Sequence, residues 1–490
     1  MTRLLSFSVC ISALTLLIGL VGCGGQGGAG NPGAMPPAII ATSEPPDGMV
    51  GNSYAAFAFN ATGGVPPLAW SESGALPAGM ALSGAGVLSG TPTGSGSFLF
   101  TVMVQDRNGQ SAPPQEFTIR IAQPGQSTGF TQTGSMVAAR HEHTAVLLES
   151  GKVLVAGGSD DKGNPLATAE IFDEGTGMFT GTGSMLSARS QQTATRLMDG
   201  RILITGGVGA SGKAVTSAEV FDSTSGMFTA AGNMDAARTQ HTATLLENGE
   251  VLICGGLDAN GNPLMSAEIF DPVTGSFHST GNMLSPRALH TATLLHVPKS
   301  PADGEVLVAG GYDIASGNQN LLATAELFDP ASGTFAQAGS MQTMRAGHAA
   351  VQLNDGRVLI TGGKSDSSEL FNPSSSSFTS TGKMSAERSQ HTATKLNDGR
   401  VLIAGGATFV LASVCGNNCI TSVPISQATT ELYDPTTGMF VDEGDMVQAR
   451  FGHTATLLND ARLLVTGGVM SRVLGRQLIS TTLAGAELLE

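Results

Sequence analysis

From Arg140 onward the chain repeats one pattern seven times, and that repetition limits the fold more than any bulk property does. Each round opens on an arginine (Arg140, Arg189, Arg238, Arg287, Arg345, Arg388, Arg450) and carries His or Gln three residues later. A Thr-Ala-Thr-Leu-Leu-like segment, a turn and an apolar run then lead into a Gly-Gly pair: Gly157/Gly158, Gly206/Gly207, Gly255/Gly256, Gly310/Gly311, Gly362/Gly363, Gly405/Gly406 and Gly467/Gly468. An Ala-Glu-x-Phe-Asp segment and a Gly-x-Phe segment close the round. The first three arginine intervals are 49 residues each. A period of this size means one small unit that cannot bury its apolar surface alone and must stack on its neighbours.

The third repeat shows what the unit contains. His241-Thr-Ala-Thr-Leu-Leu246 reads as a strand, and Asn248-Gly249 suits a two-residue hairpin turn because both residues tolerate positive φ. Val251-Leu-Ile-Cys254 is apolar without alternation, the pattern of a strand covered on both faces. Ala267-Glu-Ile-Phe270 is a third strand, Asp271-Pro-Val-Thr-Gly275 fits a type I turn with a left-handed glycine, and Phe277 begins a fourth strand. Four strands in about 50 residues, punctuated by Gly-Gly, resemble the kelch repeat, which implies an all-β chain with a seven-bladed kelch-type β-propeller over residues 126–490.

The family usually carries Tyr in the third strand and Trp in the fourth. Here Phe172, Phe221, Phe270, Phe328, Phe371 and Tyr433 hold the first position, and Phe179, Phe228, Phe277, Phe335, Phe378 and Phe440 the second. This substitution is similar to the bacterial, galactose-oxidase-like branch of the family, since phenyl rings keep the packing and give up the hydrogen bond. The seventh repeat reaches Ala486-Glu-Leu-Leu-Glu490 with no fourth strand after it, whereas Thr128-Gly-Phe130 and Gly134-Ser-Met136 match the outer-strand pattern. The segment before the first repeat is therefore expected to complete the last blade and remove an open sheet edge.

Upstream the text differs. Residues 1–22, with an apolar stretch from Leu4 to Leu20, read as a cleaved signal peptide. Leu20-Val21-Gly22-Cys23 resembles the bacterial lipobox, which implies lipidation of Cys23 and a bilayer as partner. Residues 23–36 form a glycine-rich tether. The expected location is the bacterial cell envelope, lipid-anchored at the outer membrane or cell surface. A formal net charge of −15 without any Lys/Arg cluster argues against nucleic acid as a partner. Of five cysteines, Cys254 replaces Ala or Thr before Gly-Gly and reads as a buried, inert thiol. Cys415 and Cys419 remain to pair as a disulfide, because an exported chain favours oxidation and no second cysteine pair completes a zinc shell.

Residues 37–122 show short alternating strands between Gly/Pro turns, as in Tyr54-Ala-Ala-Phe-Ala-Phe and Phe98-Leu-Phe-Thr-Val-Met-Val104. With Leu76-Pro-Ala-Gly-Met-Ala-Leu82 and Gly86-Val-Leu-Ser-Gly-Thr-Pro92, the segment resembles the Ig-like, cadherin-like modules of bacterial surface proteins, which implies a β-sandwich. Asp106-Arg-Asn-Gly109 has one acid where a calcium shell needs several, so a hairpin turn is the better reading.

Strand direction places the Asp/Asn-Gly hairpins on one face of the propeller and the connections from Gly-Gly to the third strand on the other. Those connections run 10, 10, 10, 13, 4, 23 and 17 residues. Variation on one face of a regular scaffold marks the place for partner selection, although the two longest, 407–429 and 469–485, could also close on themselves as a lid. The seven arginines invite an anion-binding ring. Seven glutamates at matching phase (Glu170, Glu219, Glu268, Glu326, Glu369, Glu431, Glu487) argue instead for structural pairing. His143, His241, His290, His348, His391 and His453, with Gln192 in the second repeat, read as hydrogen-bonding residues rather than metal ligands, because Gln is accepted in phase.

The galactose-oxidase resemblance implies copper-radical chemistry, which needs tyrosines and a cysteine-crosslinked tyrosine. Only Tyr54, Tyr312 and Tyr433 are present, so no cofactor, no metal and no catalytic residue are assigned. The reading is a monomeric, non-catalytic propeller that binds protein or glycan on its variable face. The competing reading is a carbohydrate-active propeller enzyme of the sugar-epimerase kind, whose acid and base need no local motif.

Overall fold

The computed structural model describes residues 37–39, 45, 48–94, 96–122, 129–315, 317–415, 419–474 and 477–489. The signal, lipidation and tether expectations, Cys23 included, lie outside the described residues. So do the side chains of Cys415 and Cys419, whose backbones stand opposite each other in a hairpin. Contacts divide the chain at Thr128/Gly129 into two compact units.

The upstream unit is a sandwich of short strands. One sheet orders Gly48–Met49, Gln115–Ala122, Gly96–Gln105 and Ala69–Gly74; a second orders Tyr54–Ala58, Val87–Gly90 and Met80–Leu82. Alternation along the strands sends Phe100, Val102, Phe117 and Ile119 into a core shared with Phe59, Trp70 and Leu88. Asp106 spends its carboxylate locally: it accepts from the backbone N–H of Asn108 and Gln110 at 2.9 Å and of Val65 at 3.0 Å. The first two donors close a turn, and the third ties that turn to the segment around Val65.

In the second unit every repeat forms a four-stranded antiparallel sheet. The first runs, from inside out, Thr144–Leu147, Val153–Ala156, Ala169–Asp173 and Met178–Gly181. The inner strand starts just past the histidine, or past Gln192 in the second repeat, except in the fifth, where His348–Gln352 includes it. The seventh sheet takes its outer strand from Phe130–Gln132, which pairs antiparallel with Ala486–Leu489. Inner strands touch their neighbours in cyclic order, the seventh returning to the first.

The middle strands explain why the sequence there lacks alternation. Val153 and Val155 pack with Leu464 and Leu488 of the seventh repeat, while Leu154 and Ala156 pack with Ile202, Ile204 and Phe221 of the second. Each strand thus serves two cores, and seven such cores follow one another around the ring. In each of the first six sheets the third- and fourth-strand rings meet at 4.8–4.9 Å between centroids.

The Gly-Gly pair has two separate causes. Gly157 and Gly158 both have positive φ (66° and 90°), and a Cβ on either would stand 2.7 Å from a backbone carbonyl oxygen. That closeness is functional: the Gly158 N–H donates to the Arg189 carbonyl at 2.9 Å. The same bond recurs at every junction, ending with Gly468 to Arg140 at 2.9 Å, so backbone hydrogen bonds tie the seven sheets into a circle.

Candidate functional site

The repeated charges are used up inside the sheets. Arg140 donates through Nη2 to Glu170 Oε1 at 2.7 Å and through Nη1 to the Gly157 and Thr168 carbonyls at 2.7 and 3.0 Å. Glu170 in turn accepts from the backbone N–H of Val137 at 2.7 Å and Ala138 at 3.2 Å, which fixes the segment leading into Arg140. The pattern holds for Arg189–Glu219, Arg238–Glu268, Arg287–Glu326, Arg345–Glu369, Arg388–Glu431 and Arg450–Glu487. All seven arginines are 0% exposed, so none can meet a ligand.

The histidines clamp adjacent repeats. His241 Nε2 lies 3.2 and 3.0 Å from the hydroxyls of Thr193 and Thr205, and His143 Nε2 lies 3.0 Å from both Thr454 and Thr466, in each case across the junction with the preceding repeat. Gln192 donates to the Ala156 carbonyl at 2.9 Å instead. Burial pushes the His241, His348 and His391 imidazoles down to about 3, with neighbouring arginines adding to the shift. They are neutral structural groups. Cys254 belongs to the same layer; burial pushes its thiol up to about 11, and its Sγ sits 3.2 Å from the Thr242 hydroxyl.

What remains for a ligand is the face above these layers. In repeats four, six and seven the Gly-Gly connections fold into two-stranded hairpins: Tyr312–Ala315 with Asn318–Leu321, Ala407–Cys415 with Cys419–Ser426, and Val469–Leu474 with Gln477–Thr482. The last two stand side by side. Ser426 Oγ donates to the Ser471 carbonyl at 3.1 Å, and Ser471 Oγ donates to the Pro424 carbonyl at 2.8 Å. Ala407, Phe451 and Val469 pack at their base. The two longest connections are thus β-hairpins over most of their length, and Leu411 on the first is 79% exposed.

At the axis, below the hairpins, sequence reasoning missed a ring. The residue two past each arginine is Glu142, Gln191, Gln240, Leu289, Gly347, Gln390 or Gly452, and all seven have φ between 52° and 64°. Six of the seven junctions carry a backbone bond from one ring residue to the one before it: Gln191 to Glu142, Leu289 to Gln240, Gly347 to Leu289, Gln390 to Gly347, Gly452 to Gln390 and Glu142 to Gly452, at 2.9–3.2 Å. Side chains bridge the seventh, where Gln240 Nε2 donates to Gln191 Oε1 at 3.3 Å. Gln191 Nε2 donates onward to Glu142 Oε2 at 2.8 Å, and Thr239 Oγ1 also donates to Gln191 Oε1 at 3.0 Å. The Tyr312 hydroxyl stands 3.4 Å from Gln240 Oε1. The available signal was the spacing itself, a position holding Gly in two repeats and Glu or Gln in four.

His141, beside Glu142, sits 3.2 Å through Nδ1 from the Thr482 hydroxyl. Burial lowers its affinity for a proton, against the pull of Glu142, Asp161 and Asp160. Asp161 Oδ1 accepts the Thr482 backbone N–H at 2.7 Å, which ties the first connection to the hairpin of the seventh.

Comparison with known proteins supports an Ig-like unit and a kelch-type, β-rich unit. Residues 36–122 match the family described as "Putative Ig domain", and residues 238–284 match the Kelch motif. No curated protein matches the sequence. Among solved structures the chain is similar to a novel fungal alcohol oxidase of the AA5 family, in complex with copper: TM-score 0.55, 18% identity, covering 73% of this chain and 75% of that one. At that identity the likeness is one of fold.

Among the described residues, the copper centre implied by that fold finds no fit. Tyr433 is buried in the sixth sheet with its hydroxyl 2.9 Å from Thr381 Oγ1, while Tyr312 lies at the axial ring, so the two share no site. Among the described residues, no three His, Cys, Asp or Glu side chains are grouped to hold a metal ion.

Proposed function

We propose that this chain is an exported, lipid-anchored binding protein without catalysis of its own, which takes a protein or glycan partner on the hairpin-bearing face. The observation that carries the reading is the division of the repeat: charged and titratable repeat positions are consumed within the sheets, and the variable residues converge on one face. In this reading the paired hairpins of repeats six and seven would offer a partner its main contact surface. The resemblance of Leu20-Val21-Gly22-Cys23 to a lipobox supports anchoring.

The test uses one protein. Cys23→Ser should move the chain from the membrane to the soluble fraction. That soluble protein, applied to glycan arrays and envelope extracts, should capture a partner, and shortening residues 407–429 to the 4-residue length of repeat five should weaken capture at least tenfold. Capture unchanged by the shortening would place the working surface elsewhere.

A further inference from the structure

Methionine occupies two kinds of place in the propeller, and the repeats themselves show which of the two can change. The residue four before each repeat arginine is methionine all seven times, from Met136 to Met446, and each is 1–4% exposed. Each of the seven cores holds one. At six junctions the methyl carbon lies 2.7–3.3 Å from where a Cβ on the first glycine of a Gly-Gly pair would stand, as Met185 does at Gly157. An oxygen added to sulfur in this column would be a polar group cut off from water in a close-packed core.

A second set stands outside. Met178, Met227 and Met439 open their outer strands opposite Asp173, Asp222 and Asp434, and they are 57–59% exposed. The same place is held by Ser276, Thr334 and Ser377 in the third, fourth and fifth repeats. The fold therefore asks for no thioether there and accepts a hydroxyl. Met198, Met265 and Met344 are also 42–63% exposed, and Glu149 and Glu247 hold the place of Met198 in the neighbouring repeats.

We propose that these six exposed methionines are oxidant-consuming sites, converted to sulfoxide without loss of the fold, and that they spare the buried column when oxidant is limiting. The co-reactant is a peroxide. The thioether sulfur attacks one peroxide oxygen, and an S–O bond forms as the O–O bond breaks. The proton on the transferred oxygen passes to the departing one, which leaves hydrogen peroxide as water; sulfur gives up two electrons and the peroxide takes them. The product is polar, as are the Ser and Thr residues that three repeats already carry at this place. Access sets the order, since the inner sulfurs meet peroxide only when a junction opens. Sulfoxide is also the oxidation state that methionine sulfoxide reductases return to thioether, so the outer sites can be reset. The inference is independent of what the variable face binds.

The test is a dose series of hydrogen peroxide on the full-length chain at pH 7, with peptide mass spectrometry following the added oxygen at each methionine. The six exposed positions should gain oxygen at least tenfold faster than the buried column, which should begin to react only after they are filled. The melting temperature at that point should lie within about 3 °C of the untreated protein. A Met178→Ser/Met227→Ser/Met439→Ser/Met198→Glu variant uses residue types that other repeats carry. At a dose of one peroxide per exposed methionine of the parent, its buried column should gain at least twice as much oxygen as the parent's. Equal rates at the two sets, a fall of more than about 10 °C once the outer sulfurs are oxidised, or a buried column no more oxidised in the variant would each overturn the proposal. If the variant folds poorly, the order of oxidation along the parent's dose series decides alone.

Discussion

The Arg-Glu knots and the axial ring lie within a few residues of each other in every repeat, yet they obey opposite rules. Arg238 and Glu268 are at most 2% exposed, and every other repeat uses the same two residue types in the same geometry. Two residues past each such arginine, the ring position accepts Glu, Gln, Leu or Gly, constant in backbone conformation and, at six of the seven junctions, in a backbone link to the neighbouring repeat. In the knots the side chain is the structural element, since an arginine out of water must meet a carboxylate and carbonyls. In the ring the backbone is the main structural element, with Gln240 and Gln191 bridging by side chain the one junction it leaves open, so the residue type can differ. A repeat architecture thereby lets one short peptide hold one position by its side chain and another by its backbone.

The sharpest way to break this comparison is Arg238→Met. Glu268 would remain buried, keeping its bonds from the Asp235 and Ala236 N–H groups at 2.7 and 3.2 Å but losing the Arg238 ion pair. A buried charge stripped of its partner costs about 3–5 kcal/mol, which urea unfolding would register as a large fall in midpoint. Arg238→Met with Glu268→Met should recover part of the loss, and only part, because two backbone donors then go unanswered. A single variant within about 1 kcal/mol of the parent would mean that the knots are not structural.

The histidine layer sharpens the comparison through pH. His241 is held neutral in the fold, its affinity for a proton pushed from 6.5 to about 3, mainly by burial. The unfolded chain therefore binds a proton that the folded chain refuses as pH drops below 6.5. Stability is full above that value and is lost as pH falls towards 3, by about 1.4 kcal/mol per pH unit for each such histidine. Unfolding midpoints between pH 7 and 5 should show a steep decline, made shallower by one histidine's share in His241→Gln. The parallel loss of slope is the readout, since a general packing defect would lower stability equally at both ends.

The sequence made some of this legible because repetition exposes whatever every unit must keep. Gly-Gly, the Arg and Glu positions, the paired Phe rings and the absence of alternation in Val251–Cys254 all recur, and their causes could be argued from residue type. The axial ring escaped because its residues differ: a column reading Glu, Gln, Gln, Leu, Gly, Gln, Gly looks like noise until the shared left-handed φ is seen. The hairpins escaped for another reason. Residues 407–426 and 469–482 have no counterpart in the regular 49-residue unit, so nothing in the period reveals their pairing, although their Val, Leu and Ile content favours strands.

The smallest expected effect belongs to the one histidine position that departs from its layer. Gln192 donates to the Ala156 carbonyl, where Thr205 and Thr466 offer hydroxyls to His241 and His143. Ala156 does not forbid an imidazole. His348 stands at a junction where the corresponding residue is Ala309, and it relies on the Thr291 hydroxyl alone, at 2.9 Å. Thr144 occupies the place of Thr291 in the first repeat, paired with Ala156. Gln192→His should therefore cost less than about 0.5 kcal/mol at pH 8, within the range of a tolerated polar exchange. Its signature should appear only on acidification, as one additional histidine's share of the pH slope. Equal slopes for parent and variant would show that the junction between repeats one and two lets the new ring reach water, and that the histidine layer is not a uniform property of the repeat.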